Sequence, residues 1–356
     1  MIIPITVTPT SDIVVDQEME EISFQEINVN EAKVEEFLRK NIGLIFEEEE
    51  GEETLLIVGQ QVANLRRARN DLVALDAAGN LVLIEIKRDA SDMTSRVEAL
   101  EFQAVRYAAT LATIRTVDSL VDRIFARYVE KYRSEFDSSN SLTSRELAKR
   151  KVDEFLKKNN ADNSFNEKQR IILLSSSFDD QVLSAAAWMN KNGIDISCIS
   201  LNPCRAVGSP NGPIYLTVDR LIPTPRVEDF FIDLREGPIE AGHIIEKIAG
   251  AKKAHTSLPR MSKLIEWGIV HPGDQLTLNG FEQSDATVID AKTVKFRGKQ
   301  MTFNEWGREV TGWSSICIYD WAVLRGQTLT HLRAERMRQD AKEKQLQDGG
   351  ALAASE

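Results

Sequence analysis

The sequence predicts an α/β protein with a smaller α+β domain towards its C-terminus, and three observations lead to that prediction. The first is a hairpin pattern over residues 71–87, in which two runs rich in Val, Leu and Ile flank Gly79-Asn80, a strong turn signal. The second is a strand, helix, strand succession over residues 170–201, which is typical of a unit that extends an α/β sheet. The third is a separate hairpin and short-helix pattern after residue 256.

The composition is that of a globular chain of 356 residues, 42% apolar and 28% charged, with room for two or three domains. No apolar run approaches the roughly 20 residues of a membrane-spanning helix, and no basic N-terminal region precedes an apolar core. We therefore expect a cytoplasmic protein with no membrane partner. The three cysteines form no CxxC pair and the four histidines are scattered, which favours neither a disulfide framework nor a zinc site.

The net charge of −11 at first disfavours a nucleic-acid partner. However, residues 1–60 hold 15 Asp and Glu against three Lys and Arg, so the rest of the chain carries about +1 and can present basic faces. Much of the acidity lies in the run Glu47–Glu50, with Glu52 and Glu53. We interpret this run as a solvated turn between helix and strand; the alternative is that it repels DNA from one side.

The first predicted helix begins at Asn30. Asn30 is a good N-cap, Glu31 suits the positive first turn, and Val34, Phe37 and Leu38 form an apolar stripe. A strand is expected next, over residues 55–58.

The hairpin register decides which side chains share a face. Side chains alternate along a strand, so residues 85 and 87 point to the same side. A three-residue loop, Ala78–Asn80, pairs Ala77 with Leu81 and places Asp71 opposite Lys87 on that side. A two-residue loop places Asp71 on the other face unless a bulge restores it.

Charged residues on one face of an apolar hairpin are costly unless something compensates them. Two carboxylates, Asp71 and Glu85, suit a hard divalent cation such as Mg²⁺. Lys87 adds a positive charge that can position a water or stabilise a pentacovalent phosphate, so the set suits phosphodiester hydrolysis. Glu31 and Glu35, one helical turn apart, can each reach such a metal. The alternative is a surface hairpin and helix with solvated ends.

Residues 93–114 predict a long helix after the hairpin. Gln103 and Tyr107 are four residues apart and therefore lie on one side of it. One interpretation is that they orient a water or the scissile phosphate. The alternative is that they are a core tyrosine and a glutamine hydrogen-bonded to it. Strand 170–175, helix 179–190 and strand 194–201 then extend the sheet, and another strand follows at 214–218.

Basic residues occur in two places. Those before the hairpin either hold phosphates or only neutralise neighbouring acids; they are Arg66, Arg67 and Arg69. Those in the helical pattern of residues 116–160 are either a solvated face or contacts to a DNA backbone; they are Arg145, Lys149, Arg150, Lys151, Lys157 and Lys158.

The order of these segments along the chain resembles the motif order of the PD-(D/E)XK nuclease superfamily. The segments are the helix at residues 34–38, Asp71, Glu85-Ile86-Lys87 and Gln103-Ala-Val-Arg-Tyr107. The nearest branch is that of the RecB-like and archaeal NucS-like DNA endonucleases. The resemblance covers residues 30–225 and implies a restriction-endonuclease-like mixed sheet flanked by helices. One departure is Asn70, which stands where the motif has Pro.

The resemblance also implies roles for individual residues. The metal, Mg²⁺ or alternatively Mn²⁺, would be held by Asp71, Glu85 and the backbone carbonyl of Ile86. Lys87 would be the catalytic lysine. Gln103 and Tyr107 would form the helical motif of the RecB-like branch, and Glu35, or alternatively Glu31, would be the helix glutamate.

The C-terminal pattern, over residues 256–335, resembles the RAMA domain, which is associated with restriction enzymes and adenine methylases and proposed to recognise modified DNA. Pro272-Gly273-Asp274, Gly312-Trp313 and Trp321 carry the resemblance. A hairpin over 286–296 and a helix opened by a capping box accompany them. Three tryptophans, Trp306, Trp313 and Trp321, either form a pocket for an altered base or pack the core.

These observations divide the chain into a nuclease-like domain (1–225), a helical linker (226–255), a RAMA-like domain (256–337) and a polar tail (338–356). The expected function is that of a metal-dependent DNA endonuclease in restriction or anti-phage defence. The alternatives are a non-enzymatic DNA-binding scaffold in a restriction or methylation system, and a repair nuclease. Many nucleases that cut both strands are dimers, so a homodimer is one expectation, although no sequence signal identifies an interface.

Overall fold

The structure, a computed structural model, describes residues 5–7, 13–15, 19–46, 53–63, 69–88, 99–136, 141–223 and 258–339. The chain forms two compact units, one of Met1–Ile45 with Leu56–Ala254 and one of Phe46–Leu55 with His255–Glu356. The predicted linker, 226–255, lies outside the described residues, as do Arg66, Arg67 and the tail beyond residue 339. No helix in the described ranges combines the length and the apolar character needed to cross a membrane.

The first unit contains a mixed sheet of seven strands in the order β3-β8-β7-β6-β5-β4, with β9 also paired to β8. Strands β6, β7 and β8 are parallel to one another, whereas β5, β9 and β3 run antiparallel to their partners. A separate antiparallel pair joins β1 to β2. The strands are β1 (Ile5–Val7), β2 (Ile13–Val15), β3 (Met19–Glu21), β4 (Leu55–Ala63), β5 (Arg69–Asp76), β6 (Leu81–Lys87), β7 (Gln169–Ser175), β8 (Asp195–Ala206) and β9 (Tyr215–Ile222).

Helices flank this sheet. They are α1 (Glu31–Asn41), α2 (Leu100–Leu111), α3 (Val117–Leu120), α4 (Ala126–Lys131), α5 (Ser144–Lys158) and α6 (Asp180–Lys191). A π-helical turn, Val121–Phe125, connects α3 to α4. The predicted mixed α/β class, with a sheet between helices, is therefore confirmed.

Helix α1 begins as predicted, because the Asn30 side chain accepts a hydrogen bond from Lys33 N at 3.0 Å. Val34 and Leu38 of the predicted stripe are buried. Phe37 is not, with 39% of its surface exposed, since it lies about 100° around the helix from Leu38.

The hairpin of β5 and β6 differs from the predicted pairing by two residues. Leu75, not Ala77, lies opposite Leu81, and continuing this register places Asp71 opposite Glu85 rather than Lys87. The three-residue loop is therefore Ala77–Gly79, one position earlier than predicted. Because a shift of two preserves the alternation of side chains, Asp71 still shares a face with Glu85 and Lys87.

Two hydrogen bonds to Asp76 fix that loop, one to its side chain and one to its backbone carbonyl. Asn80 N donates to Asp76 Oδ1 at 2.8 Å, and Gly79 N donates to Asp76 O at 3.0 Å. Gly79 has φ +83°, and a Cβ there would lie 2.8 Å from Ser164 O. The turn therefore requires glycine for both conformation and space.

The predicted elements after the hairpin are present with different bounds. Helix α2 covers residues 100–111 instead of 93–114, of which 93–98 lie outside the described residues. Strands β7, β8 and β9 and helix α6 occur where the sequence predicts them, and β8 and β9 extend several residues further.

Asn166 connects two of the elements that carry the candidate site. Its side chain accepts a hydrogen bond from Leu81 N (3.1 Å) at the start of β6. It donates to Leu111 O (3.0 Å) and Ile114 O (2.7 Å) at the end of α2. The strand of Glu85 and the helix of Gln103 are therefore fixed to the same side chain.

The second unit is built on an antiparallel sheet in the order β13-β12-β11-β10-β14-β15. The predicted hairpin at 286–296 is confirmed, as is the capping box of Thr302 and Glu305. Residues 329–339 are helical. Its elements are α7 (Met261–Glu266), β10 (Gln275–Leu278), β11 (Ala286–Val288), β12 (Thr293–Phe296), β13 (Lys299–Thr302), α8 (Phe303–Thr311), α9 (Ile318–Trp321), β14 (Ala322–Leu324) and β15 (Gln327–Thr328).

Candidate functional site

Asp71, Glu85 and Lys87 meet at one end of the hairpin, and all three are buried. Their exposed fractions are 5%, 1% and 3%, although each is a residue type that is almost never buried without a partner. Strand β6 is buried along its whole length, so the alternative of a solvated surface hairpin does not describe these residues.

The ammonium of Lys87 lies among the three oxygen atoms that the sequence assigns to a metal. Lys87 Nζ is 2.8 Å from Glu85 Oε1, 2.6 Å from Ile86 O and 3.5 Å from Asp71 Oδ2. Asp71 Oδ2 also accepts a hydrogen bond from Ile86 N at 2.8 Å. The two carboxylates and the carbonyl therefore surround one positive charge.

Lys87 is charged at neutral pH. Burial alone lowers the pKa of Lys87, but the carboxylates of Glu85, Asp71 and Glu31 outweigh it and hold this pKa above its ordinary value. Glu31 Oε1 is 3.8 Å from Nζ and belongs to a half-buried residue at the start of α1. In this arrangement the Lys87 ammonium is a buried positive charge that donates hydrogen bonds to Glu85 Oε1 and Ile86 O.

Gln103 and Tyr107 lie on the same side of α2, next to Glu85. Gln103 Nε2 donates to Glu85 Oε1 at 3.0 Å and to Tyr107 Oη at 3.1 Å. Tyr107 is 3% exposed. The pair therefore orients the Glu85 carboxylate. These contacts agree with both interpretations given from the sequence, because Gln103 bonds to a candidate site residue and also to a buried tyrosine.

Glu35, rather than Glu31, is the buried carboxylate of α1, and it is joined to Asp71 by Gln61. Gln61 Nε2 donates to Glu35 Oε2 at 2.5 Å and lies 3.3 Å from Asp71 Oδ1. Burial raises the pKa of Glu35, the bonds from Gln61 and Gln60 act against this shift, and the charge of Asp71 adds to it. Among the described residues, nothing hydrogen-bonds to Glu35 Oε1.

The donor set fits a hard divalent cation. Within the described ranges, no group of three or more His, Cys, Asp or Glu side chains could hold a metal alone. Asp71, Glu85 and the Ile86 carbonyl instead offer three oxygens around one point, and Mg²⁺ is commonly bound by one or two carboxylates with waters completing its shell. The buried, partnerless oxygen of Glu35 is a further oxygen of the right kind nearby.

The arginines before Asp71 are only partly placed. Arg69 is the first residue of β5, and its side chain lies outside what the structure describes, as do Arg66 and Arg67 entirely. On α5 the cations are partly paired, Arg145 with Asp122 at 2.6 Å and Lys149 with Asp153 at 2.9 Å.

The second unit holds four of the five tryptophans, and the three candidates for a base pocket do not share one environment. Trp306 is fully buried, and its indole N–H donates to Ser284 O at 2.9 Å, so it packs the core and cannot stack on a base. Trp313 and Trp321 lie edge to face at 4.9 Å, and each also contacts Phe281, at 5.7 and 6.0 Å. Trp313 is buried as well, with 6% of its surface exposed, so only the half-buried Trp321 leaves part of its ring open for stacking.

Sequence reasoning missed Gln61 and Asn166. Neither belongs to the motif, and both have left-handed backbones, with φ values of 50° and 52°. The one signal that was available is the pair of adjacent glutamines, Gln60 and Gln61, in a strand that is otherwise apolar.

Comparison of the chain with protein-family models and with curated proteins found no match.

Proposed function

We propose that this protein is a Mg²⁺-dependent DNA endonuclease of the PD-(D/E)XK type, with a restriction-endonuclease-like fold in its first unit. One observation carries the proposal: Asp71 Oδ2, Glu85 Oε1 and Ile86 O surround a buried positive charge, Lys87 Nζ, at distances of 2.6–3.5 Å. Buried carboxylates need a cation, and Lys87 Nζ is that cation in this structure. Mg²⁺ would bind the same three oxygens in its place, with the Lys87 ammonium moved aside.

The residues divide the chemistry among them. Mg²⁺, when bound, would supply an acidic water and a Lewis acid for attack on the phosphorus. Asp71, Glu85 and the Ile86 carbonyl would hold it. Lys87, kept charged by its neighbours, stabilises negative charge on the phosphate oxygens. Gln103, bonded to Glu85 and Tyr107, keeps the Glu85 carboxylate oriented.

The second unit is proposed to read modified DNA, which would place the protein in restriction or anti-phage defence. The support is its resemblance to the RAMA domain and the cluster of Phe281, Trp313 and Trp321. Trp321 is half-buried, so part of its ring is available for stacking on a base. A cytoplasmic location and a homodimeric state belong to the same proposal.

The test is cleavage of methylated and unmodified plasmids and of single- and double-stranded oligonucleotides, with Mg²⁺, with Mn²⁺ and with chelator. We expect cutting that requires the metal and that falls at least 100-fold in Asp71→Asn and Lys87→Ala. Lys191→Ala, which changes an exposed lysine at the end of α6, serves as the matched control and should cut normally. If the wild-type protein cuts none of these substrates and binds no Mn²⁺, the scaffold function replaces the nuclease.

A further inference from the structure

Gln61 breaks the alternation of side chains along β4. Its φ of 50° is left-handed, which is uncommon for a residue other than glycine and typical of a bulge. Successive side chains of a regular strand point to opposite faces. Here the side chains of Gln60 and Gln61 both act on the Glu35 carboxyl.

The amide of Gln61 lies between two buried carboxylates. It is 2.5 Å from Glu35 Oε2 and 3.3 Å from Asp71 Oδ1. Without a donor between them, two carboxylates from different elements would repel each other in this buried place. The other Asp71 oxygen, Oδ2, is already held by Ile86 N. Lys87 Nζ also lies 3.5 Å from Oδ2, so Gln61 completes the fixing of Asp71 by supplying a donor to the other oxygen, Oδ1.

Gln60 is held from the opposite side. Its Oε1 accepts hydrogen bonds from Lys131 Nζ, at 2.8 Å, and from Tyr132 Oη. The Arg39 guanidinium stacks 3.8 Å from the Tyr132 ring and donates to Glu135 at 2.7 Å. Because these contacts occupy the Gln60 oxygen, the hydrogen bond by which Gln60 lowers the pKa of Glu35 is one donated by its NH₂ group.

We propose that Gln61 is a positioning residue, whose amide holds Glu35 against Asp71 and so presets Asp71 for a divalent cation. The inference deepens the proposed function and rests on it for the identity of the cation. Outer-shell partners of this kind typically contribute about 10- to 100-fold to metal affinity.

Gln61→Gly is the informative variant, because glycine accepts the left-handed backbone while removing the amide. The chain offers a matched control in Gln283→Gly: Gln283 has φ 54° and is exposed in the second unit. Both changes replace a left-handed glutamine by glycine, and only one touches the candidate site. Thermal unfolding in chelator shows whether each variant is folded.

The readout is Mn²⁺ binding by titration calorimetry, which does not depend on cleavage. We expect affinity to fall about tenfold or more in Gln61→Gly and to stay unchanged in Gln283→Gly. In a Glu35→Ala background the same Gln61→Gly change should have a smaller effect, because only the 3.3 Å contact with Asp71 Oδ1 is then left to lose. Gln61→Glu, which lacks the donor, should also bind Mn²⁺ more weakly.

Three results would overturn the inference. If Gln61→Gly binds Mn²⁺ as wild type does while Asp71→Asn loses binding, the metal site stands and the role of Gln61 is wrong. If Gln61→Gly binds Mn²⁺ more tightly than wild type does, the amide opposes the cation instead of presetting Asp71. If the wild-type protein binds no Mn²⁺, the proposed metal site and this inference fail together.

Discussion

At the scale of single residues, the candidate site is a question of charge balance. Glu35, Asp71 and Glu85 are all buried, and Lys87 is the buried cation in contact with two of them. Removing one partner of a buried ion pair is far more damaging than removing a surface pair, because the other charge is left without compensation. Lys87 should therefore stabilise the metal-free fold as well as serve any chemistry.

Lys87→Met is expected to lower the free energy of unfolding in chelator by about 3–5 kcal/mol, because it leaves Asp71 and Glu85 buried without their cation. Mn²⁺ should restore part of that loss by binding the folded chain. Urea unfolding with and without Mn²⁺ measures both effects. Lys149→Met removes a solvent-accessible i,i+4 pair with Asp153 and should cost less than about 1 kcal/mol. Equal losses in the two variants would contradict the charge argument.

The raised pKa of Glu35 predicts a pH dependence. The folded chain holds this proton more tightly than the unfolded chain, so stability falls as pH rises from the ordinary pKa of 4.5 through the raised folded value. Residue 35 cannot ionise in Glu35→Gln, so the variant lacks this loss of stability. Its unfolding free energy relative to wild type should therefore increase as pH rises across that window. Urea unfolding at a series of pH values in chelator measures the difference.

Glu146 gives a control of opposite sign for the pH experiment. Its bonds with Thr143 lower the pKa of the Glu146 carboxyl, so the stability that it contributes is lost as pH falls. The unfolding free energy of Glu146→Gln relative to wild type should fall with rising pH. A flat profile for Glu35→Gln would show that its carboxyl is not desolvated.

The sequence identifies some site residues and not others for a physical reason. Asp71, Glu85, Lys87, Gln103 and Tyr107 lie on regular elements, where spacing along the chain determines which side they occupy. Gln61 reaches Glu35 only because its backbone is left-handed, and that conformation is imposed by packing that no local pattern reveals. The choice of Glu35 over Glu31 likewise depends on how deeply α1 packs.

At the scale of elements, the site depends on holding β6 and α2 in a fixed relation. Asn166 does this through its three bonds to Leu81, Leu111 and Ile114, all to backbone groups. Its own backbone N–H donates to Gly79 O at 2.7 Å, which joins the hairpin loop to the same point. The loss of such bonds leaves buried polar groups unsatisfied.

Asn166→Ala is expected to lower the free energy of unfolding by about 3 kcal/mol or more, through the lost bonds and the left-handed backbone. Asn166→Gly loses the same side-chain bonds, but glycine adopts the left-handed backbone without strain. Its loss of unfolding free energy should therefore be smaller than that of Asn166→Ala by about 1 kcal/mol. Asn160→Ala, at an exposed left-handed asparagine with φ 57°, reports the backbone contribution alone. Urea unfolding compares the three variants, and similar losses at 160 and 166 would contradict the role of the side-chain bonds.

The sequence determines the elements better than their pairing. Alternation and caps predict β7, α6, β8 and the start of α1, because these signals are local. The hairpin register is wrong by two residues, because the loop closes on the Asp76 side chain and on the space beside Ser164, neither of which a turn signal at Gly79-Asn80 reveals. The shared face of Asp71, Glu85 and Lys87 is confirmed because it depends only on alternation.

At the scale of the whole molecule, every residue proposed to hold or position the metal lies in the first unit. The second unit includes residues 46–55, which the sequence gives no reason to group with the C-terminal residues. Within that unit, Cys317 N donates to Thr54 Oγ1 at 3.1 Å. A truncation before residue 255 would keep residues 46–55 and remove the rest of their unit, so single substitutions are expected to separate the two proposed activities more cleanly.

Trp321→Ala in the full chain should leave the Mn²⁺ affinity unchanged, because Glu35, Asp71, Glu85 and Lys87 all lie in the first unit. It should lose any preference between methylated and unmodified duplexes, because the half-buried indole proposed to stack on the altered base is removed. Calorimetry and duplex binding measure the two properties. Retained discrimination in Trp321→Ala would contradict the proposed reading of modified DNA by this residue.

The hairpin loop restricts which insertions and deletions are compatible with the candidate site. The three-residue loop Ala77–Gly79 can slide by one position without moving Asp71 off the face of Glu85 and Lys87, and a loop longer by two residues would also keep it there. A gain or loss of one residue would turn Asp71 to the opposite face. Length variation that preserves the site should therefore arise in pairs of codons, while single-codon changes in this turn should be eliminated by selection.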